Sequence, residues 1–266
     1  MNIRFVSTTL ALGAALVLTG CAGSSGQMSA PATVTVTATP SDAASGSAAP
    51  SASPSPSASI DTQRTLTNYF EAFASGDPAE MRAMRSNAQK GSPADLYAIH
   101  QIAGANANSG YDRDEVTIAD GQVTMTSGSA AAGNLNTNVY QDFEFDAQGK
   151  LVTWSVKDSG PLEGRIQRLT GSITSNNVKF ELLTAYETNA GGLAVTAKMT
   201  NKGDAPVDVR VSDYINPKGR QIPVNAFYTP QPGAYVDGYM DLGNSTVGGT
   251  LVIQFDYSTT REMVVE

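Results

Sequence analysis

Few side chains in this 266-residue chain can do chemistry. There is one histidine, His100, and one cysteine, Cys21. Histidine is the side chain best suited to moving protons near neutral pH. His100, near Tyr97, reads first as a helix histidine packed beneath a sheet; the functional alternative is the acid or base of a pocket. A Ser-His-Asp triad would have to use it, yet no G-x-S-x-G nucleophile turn occurs in the chain. One histidine and one cysteine also exclude the usual zinc clusters. Carboxylates cluster twice, as Asp112, Asp114 and Glu115 and as Asp142, Glu144 and Asp146. Neither cluster fits the D-x-[DN]-x-[DN]-G spacing of a calcium loop. They read as an acidic loop and a solvated strand face. Tyr69, Tyr97, Tyr111 and Tyr140 can rim a ligand cavity or fill a core. The pocket set to test is Tyr69, Phe73, Tyr97, His100 and Trp154, with no metal and no cofactor.

The surroundings of Cys21 explain why the chain keeps one thiol. Met1-Asn2-Ile3-Arg4 carries one cation, and Phe5 to Leu18 is an apolar run. That run is too short for a comfortable membrane span and suits a secretory signal. It ends in Leu18-Thr19-Gly20-Cys21. This resembles the bacterial lipoprotein signal. The resemblance implies cleavage after residue 20 and acylation of Cys21, so that membrane lipid is the first partner. Two or more acyl chains anchor stably where one does not. Residues 22–60 are mostly Ser, Ala, Thr, Pro and Gly with a single charge, Asp42. So few bulky apolar groups cannot offset chain entropy, so residues 21–60 read as a disordered tether of roughly 30–40 Å average span. Its composition and the scarcity of lysine resemble an actinobacterial lipoprotein. The expected location is the outer face of the cytoplasmic membrane, in the cell envelope.

Charge narrows the partners. The formal net charge is −8. Residues 61–159 hold 7 Lys+Arg against 13 Asp+Glu, and residues 160–266 hold 9 against 11. No basic run exists, so nucleic acid is not expected. Attraction to anionic lipid is not expected either.

The elements that must position these groups fall into two regions. In residues 61–159, "DTQRTLTNYFEAFASGD" puts Leu66, Tyr69, Phe70 and Phe73 on one helix face. Asp77-Pro78-Ala79-Glu80 starts a second helix and Ser92-Pro93-Ala94-Asp95 a third, with Leu96, Ile99, His100 and Ala103 on one stripe. The period then drops to 2. "VTIADGQVTM" is a hairpin about Asp120-Gly121, with Ile118 opposite Val123 and Val116 opposite Met125. After a small-residue loop at 127–137, "NVYQDFEFDAQGKLVTWSV" is a second hairpin. A bulge near Gly149 would decide whether Trp154 lies with Phe143 and Phe145 or beneath the acidic face. Three helices followed by antiparallel strands resemble the nuclear-transport-factor-2-like, or cystatin-like, α+β cone, with "NYFEAFASGDPAEMRAM" and "FEFDAQGKLVTWSV" carrying the likeness. That resemblance implies three helices on a curved antiparallel sheet, often with a pocket. Some members are isomerases or dehydratases and many are binding domains.

Residues 165–266 show no helix pattern. About seven short strands alternate with the turn clusters Asn201-Lys202-Gly203-Asp204, Asn216-Pro217-Lys218-Gly219 and Pro230-Gln231-Pro232-Gly233. This argues for a β-sandwich. "LAVTAKMTNKGDAPVDVRVSDY", "QPGAYVDGYMDL" and "GTLVIQFD" resemble the small immunoglobulin-like domains of exported bacterial proteins. Gly160–Gly164 is the expected linker. The whole reads as a lipid-anchored, non-catalytic module that binds a small ligand or a cell-wall protein. Its alternatives are an isomerase or lyase using His100 or a buried carboxylate as base, and an accessory factor for cell-wall synthesis.

Overall fold

The computed structural model describes residues 61–128 and 134–266. The signal segment, Cys21 and the tether lie outside the described residues, as do residues 129–133 of the small-residue loop.

Three helices open the described chain, and each starts at the cap its sequence supplies. In α1 (Thr62–Ala74) the Asp61 carboxylate accepts from Arg64 N at 2.9 Å. In α2 (Pro78–Asn87) Asp77 accepts from Ala79 N at 2.7 Å, with proline in the first turn. In α3 (Pro93–Ala107) Ser92 Oγ accepts from Asp95 N at 3.3 Å. These side chains satisfy amide groups that the helix itself leaves without acceptors.

The helices cover an antiparallel sheet ordered β1 (Glu115–Ala119), β2 (Gln122–Ser127), β3 (Asn136–Phe145), β4 (Leu151–Val156) and β5 (Gly160–Pro161). The first hairpin has the register the sequence predicts, Ile118 opposite Val123 and Val116 opposite Met125. Asp120 and Gly121 both take positive φ, 51° and 72°, which lets a two-residue turn match the strand twist. In the second hairpin the register shifts between Gln141 and Glu144. Asp142 has φ 55° there. The bulge thus falls at Asp142 as well as toward the turn, and it decides the open question about Trp154. The indole is 1% exposed and packs on Phe70 at 5.7 Å between ring centroids, as Phe143 also does. Trp154 therefore lies with the phenylalanines, while Asp142 and Glu144 are exposed.

The rest is a sandwich. One sheet runs β11 (Gln221–Tyr228), β10 (Val209–Ile215), β13 (Thr250–Phe255), β14 (Thr259–Val264). The other runs β12 (Tyr235–Asp241), β9 (Leu193–Asn201), β8 (Val178–Glu187), β6 (Ile166–Arg168), with β7 (Ser172–Ser175) also paired to β8. Phe180, Met199, Val211, Ile253 and Phe255 fill the space between the sheets and are fully buried. The described architecture is thus α+β followed by an antiparallel β-sandwich.

The stretch expected to link the two parts is not a loose linker. Gly160–Pro161 pairs with β4. Leu162 is 0% exposed within the first core, and its N–H donates to Trp154 O at 2.8 Å. Four residues on, Ile166 is already paired opposite Tyr186 of the sandwich. All described residues fall in one compact unit. Helix α3 closes the junction. It touches α2 and β4 on one side and β6, β8, β9 and β12 on the other. Its sequence, "PADLYAIHQIAGANA", is small and apolar around most of its circumference, as a helix buried on two sides requires.

Candidate functional site

His100 sits at that junction, not in a pocket. It is 2% exposed. Its Nδ1 lies 2.9 Å from Thr184 Oγ1 on β8, which lies 2.7 Å from Thr196 Oγ1 on β9. The rings of Tyr186 and Tyr239 are 5.4 Å and 5.9 Å from it. Burial is the sole cause moving its pKa, from 6.5 down to about 3. The imidazole is a neutral member of a buried hydroxyl chain, out of reach of any substrate.

A recess of about 480 Å³ opens nearby, where the first sheet meets the sandwich. Phe73 of α1 and Tyr97 of α3 form one side, Asn136, Asn138 and Tyr140 of β3 another. Alternation along a strand puts those three β3 residues on one face. The sandwich contributes Tyr186 at the end of β8 and the turn residues Thr188, Asn189 and Ala190. Asp114, just before β1, supplies the only carboxylate.

The walls are braced by contacts within the chain. Ring planes meet near right angles: Phe73 and Tyr97 at 90°, Tyr97 and Tyr186 at 79°, Phe73 and Tyr140 at 78°. Such edge-to-face packing sets a positive ring edge against a negative ring face. Arg165 Nη2 donates to Glu187 O and to Asn189 Oδ1, both at 2.7 Å, and its guanidinium lies 5.3 Å from the Tyr186 ring centre. Asn189 Nδ2 in turn donates to Asn138 Oδ1 at 2.9 Å, tying the sandwich turn to β3.

Electrostatics set the recess apart. Burial raises the Asp114 carboxyl, and the neighbouring Asp112 raises it further. Burial, followed by the phenols of Tyr140 and Tyr186, holds Tyr97 well above its ordinary value. Tyr140 is also raised, chiefly by burial, with a smaller contribution from the Asp114 charge. The phenols stay protonated and can donate. A second recess of about 350 Å³ shares Phe73 and Asp114 with the first and adds Tyr111 and Asp112.

Of the five residues expected to form a pocket, two meet there: Phe73 and Tyr97. Tyr69 is fully buried with its hydroxyl donating to Ala94 O at 2.9 Å. Trp154 stands behind Tyr97 at 5.3 Å and belongs to the core. His100 faces the sandwich. The sequence suggests that Asp114 belongs to an acidic loop; in the structure it lines both recesses. The alternation of Asn136, Asn138 and Tyr140 was a local signal for a polar strand face. Nothing local tied Tyr186 and Asn189 to the same site. Among the described residues no group of His, Cys, Asp and Glu is placed to hold a metal ion. No described helix is long and apolar enough to cross a membrane.

No protein-family model matches the chain, and no curated protein matches it. Among solved structures, it is similar to the yjhA protein from Bacillus subtilis at 13% identity, over 32% of this chain and 78% of that one, with a TM-score of 0.25. It is also similar to the Northeast Structural Genomics Consortium target SoR45 at 12% identity, over 40% and 85% of the two chains, with a TM-score of 0.19.

Proposed function

We propose that this chain is a lipid-anchored, extracytoplasmic binding module. Cys21 carries the acyl chains, residues 22–60 are the tether, and the ligand site is the recess lined by Tyr97, Tyr140 and Asp114. On this reading the first part is a nuclear-transport-factor-2-like domain and the sandwich an immunoglobulin-like one. The observation that carries the binding role is a recess with walls from both parts of the chain, braced by Arg165 and Asn189. Preformed, concave, mixed polar and aromatic sites are where small ligands bind. A second reading, an isomerase or lyase, draws on Asp114 alone, since a carboxyl raised by burial inside a cavity is the form a general base takes. His100 has no part in it.

The test is native mass spectrometry and crosslinking on protein taken from its own membrane. A co-purifying small molecule is the expected result. A single crosslinked wall enzyme with an empty recess would replace this reading with the accessory one. Finding neither would refute binding. For the anchor, Cys21→Ser is expected to release the protein or leave it unprocessed. A Cys21→Ser protein still cleaved and membrane-held would overturn that part.

A further inference from the structure

We infer that the recess takes a cationic amine, with Asp114 as its counter-ion and the tyrosine and phenylalanine rings as its walls; this rests on the binding reading above.

The argument starts from how the chain treats its carboxylates. Where it buries one for structure, it supplies partners. Asp95 is 2% exposed, and its oxygens accept from Arg85 Nε at 2.8 Å and from Gly91 N at 3.0 Å. Asp237, at the edge of the junction, accepts from Asn106 Nδ2 at 2.7 Å. The Asp114 carboxylate, partly buried where the two recesses meet, has no hydrogen bond and no ion pair among the described residues. A half-desolvated anion without a partner has lost hydration and received nothing in return. A cation arriving in the recess restores that interaction.

The rest of the lining fits the same guest. No Lys, Arg or His lines either recess. The four rings meet in near-perpendicular planes, and aromatic faces attract cations. The chain already uses one of them in this way, since Arg165 lies over Tyr186 from outside the recess. An ammonium has three N–H donors, and the recess offers it the carboxylate of Asp114 and the phenol oxygens of Tyr97 and Tyr140, from different sides, as acceptors. Phe73 and Met125 offer apolar surface to an alkyl chain. A divalent metal is a poor fit, because such ions take several oxygen ligands and this recess offers one carboxylate. An anion would meet Asp114 with no positive charge lining the recess to offset it.

The test uses the purified full chain and three probes that share one alkyl chain: n-butylammonium, 1-butanol and butyrate. Binding is read by calorimetry and by the fluorescence of Trp154, the single tryptophan, which packs on Tyr97. Butylammonium is expected to bind at least tenfold more tightly than butanol and to weaken with added salt. Butyrate is expected not to bind. Asp114→Asn is expected to remove the tenfold preference while leaving thermal stability unchanged or raised, because the carboxylate it replaces makes no bond. Asp120→Asn, in an exposed turn, is expected to change nothing. If butanol or butyrate binds as well as butylammonium, or if Asp114→Asn keeps the preference, the cationic class is wrong and the binding reading stands. If no probe binds and native mass spectrometry finds no ligand, both fail.

Discussion

Lowering the pH should destabilise this fold through His100, by an amount that follows from its burial. Burial moves the imidazole from 6.5 to about 3, and no nearby charge contributes. The folded state therefore holds the ring neutral where the unfolded chain protonates it. Below pH 6.5 the unfolded state binds more protons, so stability falls as the pH falls, until about pH 3. Each pH unit in that window is worth about 1.4 kcal/mol, which gives about 2 kcal/mol lost at pH 5 and about 4 at pH 3. Carboxylates titrate in the lower half of the same window, so the measurement must be differential. His100→Asn keeps a polar atom near the position of Nδ1 and removes the titration. At pH 7.5 the variant should be about 2–3 kcal/mol less stable than the parent, through lost ring packing. By pH 5 the gap should close by about 2 kcal/mol, because only the parent pays the protonation cost. Urea denaturation of the full chain at several pH values measures both. Since His100 is the only histidine, its ring protons need no assignment in an NMR titration. They should not move between pH 8 and 5. A constant gap between parent and variant, or a midpoint near 6.5, would refute the buried neutral imidazole and the junction built on it.

Two further outcomes test the packing. Leu162→Ala, in what the sequence suggests is a linker, should cost about 2–5 kcal/mol in chemical denaturation because the side chain is fully buried; a cost within about 0.5 kcal/mol, as expected of an exposed site, would mean the segment is a linker after all. Asp95→Ala removes an ion pair and a bond to the Gly91 amide, and should destabilise by about 2–3 kcal/mol by the same assay. Arg85 is half exposed and can be rehydrated, so a larger loss would point to collapse of the start of α3.

Local signals carried most of the fold. Caps at Asp61, Asp77 and Ser92 marked the helix starts because an amide without an acceptor has to be met within two or three residues. Asp120-Gly121 set the first hairpin because a two-residue turn needs positive φ at both positions. The bulge at Asp142 carries no glycine and no turn signal in the sequence, although its backbone is left-handed and the register shifts there. The same limit hid the site. Phe73 declared itself on a helix face and Tyr97 as a neighbour of His100, but Asp114 looked like part of an acidic loop. It shares its recess with Tyr140 and with a sandwich turn more than 70 residues away.

The stripe on α3 shows how a correct local reading can miss the partner it packs against. Leu96, His100 and Ala103 do lie on buried helix surface. An amphipathic helix ordinarily has one sheet to face, so a histidine on its inner side reads as packed beneath its own domain's sheet. Here the helix has two sheets to satisfy. Small residues at Ala94, Ala98, Ala103 and Gly104 let backbones approach from both sides. A Cβ at Gly104 would come within 2.4 Å of the Tyr111 hydroxyl and 3.3 Å of Tyr239 Cδ2 on β12. The feature that separates the two cases is the scarcity of charge around the whole helix: α3 holds one acid, Asp95, and no Lys or Arg in its 15 residues. A helix with no solvated face must have a second partner. With 100 residues of sandwich following, that partner was already in the chain. His100 then had to be a hydrogen-bonded neutral group of the junction, and the recess had to find its titratable side chain elsewhere, in Asp114.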